Sequence, residues 1–485
     1  MSRVRAAALL PRVLIAVALL TAFAAWFAVW RSWFGFHPGA GGLATVADAM
    51  LRSESPAHAA PGVFLSTFYF PPFPALLALA HAIGLDWLAS LRVVSLVTGV
   101  SLLIASAIAA RALGAGARGA WLAAALVATT YPFKSTLIDA RVDLLAADLA
   151  LMSLAAWVRD EDARGWWFPA FAAASWLIKA SSVTAPAAFL LSALARRNRG
   201  ALRFVIRFAI CVAAGVALSL PIHGPAWYWD AIRTLRVHVN VREDPLRGLT
   251  EPLRYLGSFA ELAIFATLAI VWLAGRRDRR SPPFFFAIVS LSIVIYVLSN
   301  YAADQNHLVE LAATAAVYAA LWADARLSRR AALPALALAI AVLGASWRDL
   351  AGVVRHAREP GNLRASVIAA VRGDPAPVLA EDPLLALAAG RRPMVADLDR
   401  LRAVSMTGAP NAMRIIDALH ACRYGLIVLN DDLAVREQWV KGGKLRDPTV
   451  APIRAGYVPS GNADGFFLYR RRGPASPLDR PATRP

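Results

Sequence analysis

Two cysteines in 485 residues are too few for a disulfide framework. They are also placed apart, Cys211 in an apolar run and Cys422 in a polar tail, so no pairing or cysteine metal site is expected. Acidic residues are short as well: 32 Asp and Glu face 51 Lys and Arg, a formal net charge of +19. Such an excess elsewhere suggests nucleic acid. Here much of it sits in short gaps between apolar runs, so topology and anionic headgroups explain it better, and no nucleic-acid partner is expected. A soluble nucleotide site is missing too. Gly114-Ala-Gly-Ala-Arg-Gly119 matches the dinucleotide fingerprint by letter, but that motif needs a preceding strand and a following amphipathic helix. Both flanks are apolar spans, so the segment reads as a turn. No internal repeat is present, although many transporters are built on one.

What the chain does have is apolar length. Its hydrophobic fraction is 58% and its mean hydropathy +0.51, too apolar for a soluble protein of this size. Arginines recur in alternate gaps: Arg3, Arg5 and Arg12; Arg111 and Arg118; Arg159 and Arg164; Arg196, Arg197, Arg199 and Arg203; Arg276, Arg277, Arg279 and Arg280; Arg326, Arg329 and Arg330. Basic residues are retained on the cytoplasmic side, so the gaps between these face outward. Spans read as 13–30, 91–110, 119–133, 141–157, 166–178, 182–195, 204–221, 257–275, 284–300, 307–325 and 333–347. The chain is expected to be an α-helical polytopic membrane protein of about eleven transmembrane helices, its N-terminus cytoplasmic. The first run continues through Trp26, Phe27 and Trp30, which suits an uncleaved signal anchor better than a cleaved signal.

Two outward segments and a tail stand out. Residues 31–90 form a long first loop, with a short helix near 73–85 that is too short to span and is expected along the interface. Residues 222–256 carry Trp227, Tyr228, Trp229, Arg233, Arg236 and His238, an aromatic and basic mix suited to an interface. The expected division is a membrane domain over 1–348, a small C-terminal α/β extracytoplasmic domain over 349–474 and a disordered tail over 475–485. In the second of these, 424–429 and 465–469 read as strands and 409–421 as a helix.

Ionisable residues at span ends carry the chemistry, because a charge in hydrocarbon costs several kcal/mol unless paired or hydrated. Asp139, Arg141, Asp143 and Asp148 gather at the outward end of the 141–157 span, where Arg141 either pairs with Asp143 or holds a phosphate. Lys179 lies between two short spans in Trp176-Leu-Ile-Lys-Ala-Ser-Ser182, as a snorkelling lysine or a ligand. Asp304, Asn306, His307 and Glu310 open the 307–325 span.

The order of these pieces resembles a family. A first span is followed by a long outward loop ending in Tyr69-Phe-Pro-Pro-Phe-Pro74, then by Leu91-Arg-Val-Val-Ser95 and Ala140-Arg-Val-Asp143. The lysine motif, Asn306-His-Leu-Val-Glu310 and Pro377-Val-Leu-Ala-Glu-Asp-Pro383 complete it. The chain is similar to GT-C glycosyltransferases that use polyprenyl-phosphate sugars, in the branch of protein mannosyltransferases, aminoarabinose transferases and RgtA/B/C/D-like lipopolysaccharide-core enzymes.

That resemblance implies sugar transfer from a polyprenyl-phosphate carrier to a cell-envelope glycan or glycolipid, on the periplasmic face of a bacterial inner membrane. It places Arg141, Asp143, Lys179, Asn306 and Glu310 around the donor phosphate, with Arg233, Arg236 and Tyr69 toward acceptor or lipid. Cationic groups would offset charge on the departing phosphate, and a carboxylate would activate the acceptor. No cofactor and no metal is called for. The chain departs from the family in its first loop, where the usual Asp-Glu pair falls on Gly39 and Ala40, neither of which takes a proton. Asp48, His37 and Glu54 are then the catalytic candidates. The alternative is a non-catalytic GT-C-like partner, or a transporter or flippase of lipid-linked intermediates.

Overall fold

The computed structural model describes residues 3–30, 38–56, 59, 62–67, 69–198, 200–240, 246–276, 278, 280–299, 305–327, 332–357, 364–405, 410–436 and 448–473, and the architecture is that of these residues. His37, Asp304 and the expected tail 475–485 lie outside them. The chain divides into two compact units, one of Met1–Gly35, Val94–Ser219 and Val241–Glu359, the other of Phe36–Val93, Leu220–Asn240 and Pro360–Pro485.

The first unit is helical. Among the described residues three helices are long and apolar enough to cross a membrane: Trp87–Ala112, Gly200–Pro221 and Gln305–Arg326. Arg247–Ser258 and Ala260–Ala274, bent by 109°, make a fourth if counted together. Most of the other expected spans are shorter helices, among them Ala117–Thr129, Trp167–Ile178, Thr184–Arg196 and Pro282–Leu298. At 1.5 Å per residue, a 12-residue helix covers about 18 Å of a hydrocarbon core of about 30 Å. Breaks in the helices are therefore built in, and the sequence shows why. Pro282 and Pro283 start one helix after an extended Ser281. Between the expected spans 119–133 and 141–157 the structure inserts a separate helix, Tyr131–Ile138, with Pro132 in its first turn.

The core of this unit is rich in alanine: Ala123, Ala125, Ala128, Ala147, Ala150, Ala313, Ala316, Ala319 and Ala320 are all buried. Small side chains let helix backbones approach closely where lipid offers no hydrophobic drive for association. Ala260–Ala274 packs on Val309–Leu327, Asp143–Arg159 on Trp167–Ile178, and Arg3–Trp30 on Ala332–Ala357. Gly114–Gly116 is a turn, as its flanks imply, and Ala117–Gly119 already belong to the following helix. Gly116 caps the Ala117–Thr129 helix and its N–H donates to an Asp324 carboxylate oxygen at 2.8 Å.

The second unit is α/β. Strands β1 (Val378–Ala380), β2 (Leu426–Leu429), β3 (Tyr457–Ala463) and β4 (Phe466–Arg471) form one sheet of order β1-β2-β4-β3. The β1–β2 pair is parallel and the other two antiparallel. Helix Pro410–His420 packs Ile415 and Leu419 into the core beside Ile427 and Leu429. The expected strands at 424–429 and 465–469 and helix at 409–421 correspond to β2, β4 and this helix.

The first loop belongs to the same unit. Helix Pro38–Leu51 lies against the short helix Pro383–Ala388. Phe64 bridges Val395 in parallel, its N–H donating to the Met394 carbonyl at 2.8 Å. Trp227, from the segment between the expected spans 204–221 and 257–275, is buried with Val46, Ala49, Leu65 and Ala396. Three sequence-distant segments thus share one core.

Candidate functional site

Two helix interruptions and one turn build the site in the first unit. Helix Trp167–Ile178 ends at Lys179, whose extended backbone (φ −144°, ψ 112°) lifts it out of the helix before Thr184–Arg196 begins. Asp143 is the first residue of helix Asp143–Arg159, where the helix dipole favours a carboxylate. Ala140, at φ +51°, turns the chain just before it. Asn306 and His307 sit on a single 3₁₀ turn, Gln305–Leu308, that leads into Val309–Leu327.

These pieces converge on one cavity. The Lys179 ammonium donates to Asp143 Oδ1, and Asn306 Nδ2 donates to Asp143 Oδ2 at 3.0 Å, so both carboxylate oxygens are held. Lys179 Nζ also lies 3.0 Å from His307 Nδ1. An ammonium only donates, so His307 Nδ1 accepts and the ring proton belongs on Nε2. Behind them Ser182 donates to Glu310 Oε2 at 3.3 Å, and Ser175 lies 2.6 Å from Ser182. Ser181, Thr184 and Ser290 complete the polar lining, with Ile293, Val294 and Val297 in the apolar wall.

The water-sized space inside is about 30 Å³, room for roughly two waters. The Glu310 carboxylate is buried there, with the Ser290 and Thr184 hydroxyls turned toward it. Asp143, Lys179, Asn306 and Glu310, singled out in the sequence, therefore come together. Ser175, Ser182, Thr184 and Ser290 were not among the site candidates, and His307, named with its neighbours at the start of the 307–325 span, had been given no role. Ser182 stands in the lysine motif and His307 between two chosen residues; Ser290 had only its polarity within an apolar run as a signal.

Arg141 is placed differently. The alternative in which it pairs with Asp143 is corrected: Asp143 is taken by Lys179 and Asn306, while Arg141 Nε lies 4.0 Å from Asp139. Arg141 is buried two residues before Asp143 but does not line the cavity.

The remaining candidates belong to the second unit. Asp48 pairs with Arg52 one turn on, at 2.9 and 3.3 Å, with its side chain 12% exposed. Glu54 pairs with Arg392. Ala40, where the family's acidic pair would fall, is fully buried on helix Pro38–Leu51. Tyr69 is half-buried, its N–H donating to Thr67 Oγ1 at 3.1 Å. Arg233 is exposed on helix Ala226–Asn240; Arg236 lies on the same helix, its side chain outside the described residues. Among the described residues no group of three or more His, Cys, Asp and Glu is placed to hold a metal ion.

Comparison with known proteins bears on the fold. Residues 68–300 match the model of glycosyltransferase family 87, a stretch that includes Asp143 and Lys179. The whole chain superposes on ArnT from Cupriavidus metallidurans bound to undecaprenyl phosphate, with a TM-score of 0.62 at 13% identity, covering 97% of this chain and 98% of that one. The fold resembles the membrane GT-C fold of ArnT. The GT-C likeness extends to AglB, an oligosaccharyltransferase from Archaeoglobus fulgidus in complex with an inhibitory peptide and a dolichol-phosphate, with a TM-score of 0.55 at 13% identity over 97% of this chain and 75% of that one. No curated protein matches the sequence.

Proposed function

We propose that the protein is a membrane glycosyltransferase that moves a sugar from a polyprenyl-phosphate carrier to a cell-envelope glycan or glycolipid. The observation that carries this reading is the Asp143–Lys179–Asn306–His307 cluster, a cation oriented by a carboxylate inside a polar cavity of a GT-C fold. In the transfer, an acceptor hydroxyl or amine attacks the sugar's anomeric carbon and the bond from that carbon to the phosphate oxygen breaks. The bond's electron pair leaves with polyprenyl phosphate and the acceptor's proton passes to a base. Lys179 would answer the charge gathering on the leaving phosphate, Asp143 holding the ammonium in place. His307 Nε2–H is a second donor for that phosphate. Arg141, outside the cavity lining, would share the task only from its rim beside Asp139; Arg233, Arg236 and Tyr69 are the candidates for acceptor or lipid contact. The eleven-span topology, the bacterial inner membrane and the periplasmic C-terminal domain belong to the same proposal.

A second reading, a non-catalytic partner of a synthase, is favoured by one observation: Asp48 and Glu54 are both tied to arginines. A carboxylate held by a guanidinium has fewer lone pairs left to meet an acceptor's proton. The test is release of polyprenyl phosphate by purified protein in lipid, given a panel of polyprenyl-phosphate sugars and crude envelope acceptor. Turnover lost in Asp48→Asn places the base there, and turnover retained moves it elsewhere. Donor binding without turnover for any sugar supports the silent partner.

A further inference from the structure

The hairpin joining Asp143–Arg159 to Trp167–Ile178 lies about 25 Å along the helix axis from Asp143. There Asp162, Arg164, Asn198, Gly200, Arg203 and Arg207 line an open cavity of about 450 Å³. Its three arginines have different commitments. Arg164 holds Asp162 at 2.9 Å, the one carboxylate in the lining. Arg207 Nη1 donates to the carbonyls of Ala163 at 2.9 Å and Gly165 at 3.1 Å, and also to that of Arg164. The Arg207 guanidinium lies 5.0 Å from the centre of the Trp166 ring. It thereby pins a turn in which Ala163 sits at φ +51°. Arg203 is exposed and makes no ion pair or hydrogen bond among the described residues. The cavity keeps two positive charges beyond those its own carboxylate balances.

The rim is apolar. Leu202, Val205, Ile206 and Ile210 are exposed along helix Gly200–His223, whose apolar window is only 6% buried within the protein. Trp166 and Trp167 are exposed beside them. Exposed tryptophans and arginines at the end of an uncovered apolar helix mark the headgroup level of a bilayer. Behind this surface Phe168 and Phe204 stack at 4.7 Å, and Phe189 meets Phe204 at 4.6 Å. That cluster fixes the helix carrying Arg203 and Arg207 against the hairpin, so the backbone that presents both arginines is set before any ligand arrives.

We propose that this cavity binds the phosphate headgroup of an anionic phospholipid, with Arg203 and Arg207 at the phosphate and the acyl chains along Leu202, Val205, Ile206 and Ile210. A free anion would use the arginines but leave the apolar strip idle; charge and strip together select a lipid. Because the site and the Asp143–Lys179 cavity occupy opposite ends of one helix pair, the two ligands do not compete.

The test titrates purified full-length protein in neutral detergent with short-chain phosphatidylglycerol, phosphatidylcholine or inorganic phosphate, bound lipid being counted by native mass spectrometry. One phosphatidylglycerol should be retained. A cation near an anionic headgroup is worth roughly fivefold in affinity, so Arg203→Gln should weaken binding about fivefold and Arg203→Glu about twenty-five-fold. Arg203→Lys should bind nearly as the parent does. Arg203 holds no other group among the described residues, so a thermal transition unchanged in all three variants ties the loss to the ligand. Equal retention of phosphatidylcholine, or an Arg203→Glu variant that binds as the parent does, overturns the site. Displacement of the lipid by inorganic phosphate at similar concentration overturns it as a lipid site.

Discussion

At the scale of the residue, Lys179 and Asp143 are each other's condition for burial. Removing one partner of a buried pair strands the other charge, at about 3–5 kcal/mol. Lys179→Met should therefore lower thermal stability sharply, while Lys179→Met/Asp143→Asn should recover most of the loss, since the amide that replaces the carboxylate can still face Asn306. Both variants should lose turnover, by roughly 10²–10³-fold on the precedent of removing one oriented donor to a developing anion. Stability recovered together with turnover in the double variant would reduce the pair to a structural tie. The sequence disclosed this pair because a charge in an apolar run is conspicuous. It did not disclose Ser290 or Thr184, since hydroxyls sit in membrane helices by bonding their own backbone, as Thr267 does to Ala263 at 2.8 Å. Nor did it disclose which carboxylate Arg141 meets, because neighbours two residues apart on either side are equally near in sequence.

At the scale of the element, helices came through clearly and strands less so. Helix Pro410–His420 and strands β2 and β4 are apolar enough to read directly. Strand β1 has three residues, all buried, with no alternation to detect. Strand β3 runs Tyr-Val-Pro-Ser-Gly-Asn-Ala, which reads as a turn. It survives as a strand because it is an edge, pairing only with β4 and shifting register between Pro459 and Gly461. Contacts between elements were the least legible. Gly41 and Gly42 looked like loop residues, yet a Cβ on Gly42 would stand 2.6 Å from the Ala396 carbonyl oxygen, a backbone atom that cannot step aside. Gly42→Ala should cost about 1–3 kcal/mol through overpacking, read as a lower unfolding temperature and easier proteolysis of the C-terminal domain. Gly344→Ala, in helix Ala332–Ala357 with nothing near its added Cβ, should be neutral or stabilising by about 0.5–1 kcal/mol. Similar losses in both variants would mean that the close approach at Gly42 is not a constraint.

At the scale of the whole molecule, the sequence marks which segments leave the membrane but not that they meet. The first loop, the segment around Trp227 and the chain after Pro360 form one unit, because each alone is too small to bury its apolar residues. Phe64, from the first loop, enters the core around Ile427 and Leu429. That assembly sharpens the topological prediction. Segments that share a core must lie on one side of the bilayer, so residues 36–93, 220–240 and 360–473 are expected outside together, opposite the basic gaps. An alkaline phosphatase fused after Gly473 should be active, and one fused after Arg197, where the helix ends in a left-handed turn among arginines, should be silent. The reverse pattern would invert the orientation and put the C-terminal unit in the cytoplasm. Activity at both sites would break the alternation of basic gaps on which the reading rests. The expected result would bring Asp48 and Glu54 to the side of the membrane where an envelope acceptor is found, leaving Asp48→Asn to decide whether either takes its proton.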